Sequence, residues 1–140
     1  MYHFNRYLRI TLSLALLVFM TSCELDEPLE PIGADSRDKF TGTWLFSEAP
    51  AARSISYSVT ITKDPSNSSQ VILKNLGNFG NSYSAYGIVT TSRIVVPSQE
   101  IYPGMSIDGD GSMSSNSQME WSYSIEGGGE LEEYVATATK

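Results

Sequence analysis

Two segments of this chain alternate strictly between apolar and polar residues, and this pattern restricts the fold more than any other feature. In Ser54–Lys63 and again in Gln118–Glu126, every second residue is apolar. The apolar residues are Ile55, Tyr57, Val59 and Ile61 in the first segment and Met119, Trp121, Tyr123 and Ile125 in the second. Successive side chains of a strand point to opposite faces, so a period of two places each set on one face. We therefore predict two half-buried β-strands.

Weaker apolar runs extend this interpretation to eight strands. These runs are Gly42–Glu48, Gln70–Leu76, Tyr83–Val89, Arg93–Val96, Gly104–Gly109 and Leu131–Lys140. Turn residues separate the runs, among them Pro97, the Pro103-Gly104 pair and three consecutive glycines from Gly127. After the amino-terminal residues 1–22, no window of the sequence keeps a helical period of 3.6 residues, so no long helix is expected. Short strands at regular spacing are typical of a closed up-and-down barrel or a β-sandwich, and the pattern alone does not choose between them.

The amino-terminal residues have the composition of an export signal. Arg6 and Arg9 precede an eleven-residue apolar run, Ile10–Met20. A membrane-spanning helix needs about 20 apolar residues, so this run matches the apolar part of a signal peptide better. We expect residues 1–22 to be a removed leader. The alternative is a transmembrane anchor with Cys23 as a free thiol at its end.

The end of this run carries a more specific signal, Met20-Thr21-Ser22-Cys23. It resembles the lipobox of bacterial lipoproteins, in which an aliphatic residue and two small residues precede a cysteine, although Met stands where Leu is usual. The resemblance implies a diacylglycerol thioether on Cys23, usually with an acyl chain such as palmitate on its amine. It also implies a lipid anchor in the outer membrane, and leaves open whether the protein faces the periplasm or the cell surface.

Acidic and proline residues follow the cysteine in Glu24–Asp38, ELDEPLEPIGADSRD. Low hydrophobicity, proline and like charges favour an extended spacer. We expect residues 23–38 to be a tether and residues 39–140 to be the globular domain. Acids directly behind a lipidated cysteine also resemble the surface-export signal of lipoproteins from Bacteroidota-type bacteria. A solvated linker explains the same residues equally well.

The globular part begins with Phe40-Thr41-Gly42-Thr43-Trp44. A Gly-x-Trp at the start of the first strand resembles the lipocalin signature. With Val95–Gln99, Ile107–Gly111 and a last strand that ends at Lys140, the chain is similar to the small lipocalin-like lipoproteins of Bacteroidota. The resemblance implies an all-β, antiparallel, eight-stranded up-and-down barrel in which Trp44 closes one end. Lys140 is the candidate for the basic residue that stacks on Trp44.

Charge and residue content exclude several classes of function. The chain has 9 basic and 16 acidic residues and a net charge of −7, which disfavours nucleic acid as a partner, because its binding depends on Lys and Arg. The one histidine, His3, falls in the expected leader, and the one cysteine is the expected lipid site. The usual general base and the usual metal ligands are therefore missing from the globular part. We expect no enzyme activity, no cofactor and no metal.

The acids of the globular part fit plain structural roles. Asp108, Asp110 and Ser112 have the spacing of the first calcium ligands of an EF-hand, but Met occupies both positions where that loop requires Gly and Glu. We expect a turn or a bulge there. Glu120 lies in a predicted strand on the face opposite the aromatic residues, so its carboxylate is expected in solvent.

Four aromatic residues are the remaining candidates for a binding site: Trp44, Tyr57, Trp121 and Tyr123. Aromatic walls with polar tips suit sugars and apolar ligands. An eight-stranded barrel holds side chains or one small ligand, however, and short strands favour a filled interior. We therefore favour a non-enzymatic interaction or binding module with an unknown protein partner. The alternative is a carrier of a small apolar or carbohydrate ligand inside the barrel.

Overall fold

The computed structural model describes residues 33–49 and 55–140. The leader, Cys23 and most of the tether lie outside these residues, so the predictions for them stay predictions. The described part contains eight strands: β1 Gly42–Ala49, β2 Ser56–Lys63, β3 Gln70–Lys74, β4 Ser84–Val89, β5 Arg93–Tyr102, β6 Met105–Ser115, β7 Gln118–Gly127 and β8 Glu130–Thr139. Its one helical element is a 3₁₀ turn, Leu76–Asn78, and within the described ranges no helix has the length and apolarity to cross a membrane.

The strands form one closed antiparallel barrel in which each strand pairs with the next along the chain. β1 completes the barrel by pairing with both β2 and β8, so that Phe46 lies between Tyr57 and Ala138. The predicted eight-stranded, up-and-down, lipocalin-like barrel is therefore confirmed, and the sandwich is excluded. We name the two ends by residues of β1. The Trp44 end is where β1 begins and β8 ends, and the Glu48 end is where β1 ends and β8 begins.

Two of the predicted turns form tight connections at the Glu48 end. Pro103-Gly104 joins β5 to β6, with Gly104 at a φ of 78°. Gly128 and Gly129 join β7 to β8 at φ values of 63° and 85°. The Gly128-Gly129 pair fits a type I′ turn, which requires this left-handed backbone at both central residues, whereas the Pro103-Gly104 turn requires it only at the glycine; glycine adopts it without strain.

The predicted strand end before Pro97 is wrong. β5 continues through Pro97 to Tyr102, with a register shift between Val96 and Gln99. A bulge accommodates proline, which has no N–H to donate to the ladder. Beyond it, the Gln99 side chain bonds the backbone of Tyr86 on β4, accepting from its N–H at 2.9 Å and donating to its carbonyl at 2.8 Å.

The turn or bulge expected in Asp108–Ser112 is also wrong, because this segment lies inside β6 and pairs in register with β7. Its polar side chains alternate with Gly109 and Gly111, which occupy inward positions opposite Tyr123 and Trp121. An added Cβ at Gly111 would come within 2.2 Å of the Trp121 ring, and one at Gly109 within 2.5 Å of Tyr123. The glycines therefore make room for two large aromatic side chains.

The core fills the barrel along its length. Of the eight apolar residues in the two alternating segments, seven are buried, and Ile55 is 50% exposed because it precedes β2. The largest side chains that are buried almost completely include Trp44, Trp121, Phe40, Phe46, Ile61, Leu73, Leu76, Ile94, Ile107 and Met119. Both ends and the middle of the barrel therefore contribute to one hydrophobic core.

Candidate functional site

Trp44 and Lys140 close one end of the barrel. Trp44 is fully buried, and its indole Nε1 donates a hydrogen bond of 2.7 Å to the Phe40 carbonyl. The Lys140 ammonium lies 4.5 Å from the centre of a Trp44 ring, within the range of a cation–π interaction. It also donates to the carbonyls of Lys39 and Thr41. Lys140 therefore stacks on Trp44 and ties the end of the chain to the residues before β1.

The segment that precedes β1 covers the same end. The Arg37 guanidinium donates to the Asp35 carboxylate and to the carbonyls of Asp64, Asn67 and Gln70, which lie at the β2–β3 connection. Hydrogen bonds from Arg37 hold the pKa of Asp35 well below its usual range. The last residues of the predicted tether therefore pack on the Trp44 end, and the chain enters the barrel there.

Aromatic rings fill the middle of the barrel. The Phe46 ring lies 5.7 Å from that of Tyr57 and 5.4 Å from that of Trp121, measured between ring centres. Trp121 is 1% exposed, and its Nε1 has no hydrogen-bond partner among the described residues. The structure thus brings Tyr57, Trp121 and Tyr123 into one interior cluster and places Trp44 apart, at the end of the barrel.

Two tyrosine hydroxyls and a glutamate form a polar cluster at the Glu48 end. The Tyr123 hydroxyl donates a short hydrogen bond to Glu48 Oε1, and the hydroxyl oxygens of Tyr57 and Tyr123 are 2.9 Å apart. Since Tyr123 donates to Glu48, its oxygen is free to accept from Tyr57. Burial is the main cause that raises the pKa of both phenols above their usual value. Both tyrosines of the cluster therefore stay protonated at neutral pH.

Tyr134 and Glu132 extend this cluster along β8. The rings of Tyr123 and Tyr134 stack with centres 5.1 Å apart. The Tyr134 hydroxyl donates to Glu132 Oε2, and this hydrogen bond raises the pKa of Tyr134 to about 12. Sequence reasoning missed Glu48, Glu132 and Tyr134. Alternation along the strand could have identified Glu48, because Glu48 is an even-numbered residue of β1, like Trp44 and Phe46, and therefore shares their inward face.

The loop between β3 and β4 packs across the Glu48 end. Leu76 is fully buried there, next to Asn75, which has a left-handed backbone with φ 67°. The Asn75 side chain fixes the loop: its Nδ2 donates to the Ser58 carbonyl at 2.8 Å, and its Oδ1 accepts from the Gly80 N–H at 2.6 Å. Leu76 and the tyrosine pair thus obstruct this end of the barrel, as Trp44 obstructs the other.

Several pockets lie outside the packed centre, and two of them differ in character. One, of about 470 Å³, lies over β6, β7 and β8 and is lined in part by Asp108, Ser122 and Val135. The other, of about 180 Å³, lies at the Glu48 end and is lined by Met105, Ile125, Gly127, Glu130 and Glu132. The first is a polar groove on the outer face, whereas the second has an apolar floor and two carboxylates.

The remaining acids singled out in the sequence lie on the outer face. Asp108 accepts from Ser124 Oγ at 2.6 Å, and Asp110 pairs with Arg93 at 2.5 Å. Glu120 is exposed, as predicted, and accepts from Thr137. In the part of the chain that the structure describes, no three His, Cys, Asp or Glu residues are grouped so that they would hold a metal ion. No protein-family model and no curated protein sequence matches this chain.

Proposed function

We propose that this protein is a lipid-anchored lipoprotein of the outer membrane or cell surface that acts as a non-enzymatic interaction module. The observation that carries the proposal is a barrel filled with side chains and obstructed at both ends, by Trp44 at one end and by Leu76 with the tyrosine pair at the other. A filled barrel offers its outer surface and its rims for binding. Small-molecule sites, in contrast, are clefts or cavities that bury most of the ligand, whereas the groove of about 470 Å³ over β6, β7 and β8 lies open on the outer face.

The length of the chain between Cys23 and the described domain limits the distance of that domain from the membrane. Gly33 lies ten positions after Cys23, and at about 3.3–3.6 Å per extended residue the connecting chain would reach at most about 36 Å. An anchor on Cys23 would then keep the domain within about this distance of the bilayer.

The non-enzymatic part of the proposal is supported by the residues available for chemistry. Residues 33–140 contain no His and no Cys. The phenols of Tyr57 and Tyr123 have pKa values raised by burial, which makes them poor bases at neutral pH. Asp108, Asp110 and Glu120 lie on the outer face and are bonded to neighbouring Ser, Arg or Thr side chains.

The carrier of a small apolar or carbohydrate ligand is kept as a second candidate because of Trp121. Its indole N–H is buried and has no acceptor among the described residues, and a buried donor without a partner costs about 1–3 kcal/mol. A ligand that supplies an acceptor at this depth would remove that cost. It would also have to displace part of the packing around Phe46.

Replacing Cys23 with alanine is expected to abolish both lipid labelling and membrane association. The proposed acyl chains provide the anchor, since each buried methylene contributes about 0.8 kcal/mol and the acidic chain gains nothing from an anionic bilayer. The measurement is metabolic labelling with a fatty-acid analogue, followed by membrane fractionation. Ser36→Ala, at an exposed position near the end of the predicted tether, is the control and should keep both properties. Label retained by Cys23→Ala would contradict the anchor.

A further inference from the structure

The small pocket at the Glu48 end is built from inward positions of three strands. Ile125 and Gly127 of β7 lie opposite Glu132 and Glu130 of β8, and Met105 is the first residue of β6. Gly127 opens the pocket, because an added Cβ would come within 3.0 Å of the Met105 side chain. The result is a cavity of about 180 Å³ with Met105 and Ile125 as its floor and two carboxylates at its edge.

Neither carboxylate has a cation within the described ranges. The ion pairs found there join Arg37 and Lys63 to acids near the Trp44 end and Arg93 to an acid of β6. Glu132 accepts from the Tyr134 hydroxyl, and this bond fixes the direction of its carboxylate. Glu130 is exposed. The pocket therefore presents two negative charges that the described protein leaves uncompensated.

The charge of the surrounding rim has the same sign. Glu48, Glu100 and Glu126 lie within two residues of the Glu48 end of their strands, and Lys74 is the one basic residue at the corresponding position among those described. Such an excess of one charge attracts a partner of the opposite charge and increases its association rate. The rim therefore favours a basic partner.

The size and lining of the pocket indicate which kind of cation would fit it. A volume of about 180 Å³ is below the range of drug-sized ligand sites, so it suits one side chain. Lysine combines an aliphatic stem, which packs on apolar surface, with an ammonium group that stays at its edge. Met105 and Ile125 match the stem, and Glu130 and Glu132 match the ammonium. Met is also a side chain that adapts to a variable partner surface.

We propose that the pocket formed by Met105, Ile125, Gly127, Glu130 and Glu132 receives a lysine side chain of a protein partner. The stem of that lysine packs on Met105 and Ile125, and its ammonium pairs with the two carboxylates. The proposal rests on the interaction module proposed above and specifies which face of it binds and what chemistry it recognises.

The test is a titration of the full chain in detergent micelles with the peptide acetyl-Lys-Lys-Lys-Lys-amide. The titration is monitored through the methyl NMR signals of Met105 and Ile125. Both methyl signals should shift and saturate. The double variant Glu130→Gln, Glu132→Gln should weaken binding by about tenfold. The matched control Glu120→Gln, Glu133→Gln removes the same charge from the outer face of β7 and β8 and should stay within about twofold.

Four results would overturn the proposal. The first is that the methyl signals stay unchanged. The second is that the control variant loses as much affinity as the pocket variant, which would mean unspecific attraction to an acidic protein. The third is equal binding of the peptide with every lysine acetylated, because the charge would then be irrelevant. Tighter binding of spermidine than of the peptide would also overturn it, in favour of a free polyamine. Any of these results leaves the lipid anchor and the filled barrel untouched, and these are tested separately by Cys23→Ala and by mass spectrometry.

Discussion

Replacing Trp44 with alanine is expected to lower the free energy of unfolding by about 3–5 kcal/mol. Trp44 is fully buried, so its removal leaves a cavity at the end of the barrel. The substitution also leaves the Phe40 carbonyl without its donor and Lys140 without the ring on which it stacks. The measurement is urea-induced unfolding, monitored by circular dichroism.

The neighbouring residue provides the control for Trp44. Leu45 is 47% exposed on the outer face of the same strand, so Leu45→Ala should cost less than about 1 kcal/mol. A similar small loss for Trp44→Ala would mean that the ring does not close the barrel, and would contradict its role as an end plug.

Gly111→Ala is the second substitution with a large expected effect. The added Cβ would come within 2.2 Å of the Trp121 ring, and Trp121 is 1% exposed, so the ring has no space to move into. Overpacking of this kind costs about 1–3 kcal/mol or more. Trp121→Ala alone should cost about 3–5 kcal/mol.

The double variant distinguishes this steric cause from a general weakness of β6. With Trp121 already replaced by alanine, Gly111→Ala should cost less than about 0.5 kcal/mol, so the two changes are strongly non-additive. Ser112→Ala, on the outer face next to Gly111, should stay within about 0.5 kcal/mol as a control. Additive losses in urea-induced unfolding would show that Gly111 and Trp121 do not contact each other as described.

Alternation predicted the strands wherever apolar side chains occupy the inward positions. The apolar residues between Tyr57 and Ile61 and between Met119 and Ile125 are examples, and all of these apolar residues are buried. It failed for β6, where two inward positions are glycines. Read along the chain, Gly109 and Gly111 indicate a turn. Only their pairing with Tyr123 and Trp121 on β7 shows that they are the small partners of large residues, and that pairing is a property of the folded barrel.

The polar part of the site was less accessible to sequence reasoning than the aromatic part. Tyr57 and Tyr123 were identified because they fall on the apolar face of two clear strands. Glu48 and Glu132 occupy inward positions as well, but an acid there breaks the alternation that identifies a face. They are tolerated because each lies near the Glu48 end, where tyrosine hydroxyls bond the carboxylates. Whether an inward acid is tolerated therefore depends on its distance from the barrel end, which the sequence does not show.

The filled barrel is tested most directly by native mass spectrometry of the full chain purified in detergent from its own host. The expected result is the mass of the acylated chain that begins at Cys23, without a small organic molecule bound at equal stoichiometry. This follows from the packing of Phe46, Tyr57 and Trp121 in the interior. A stoichiometric organic ligand that dissociates on activation, and that is lost in a variant with Trp121 changed to Phe, would contradict the interaction module and establish the carrier instead.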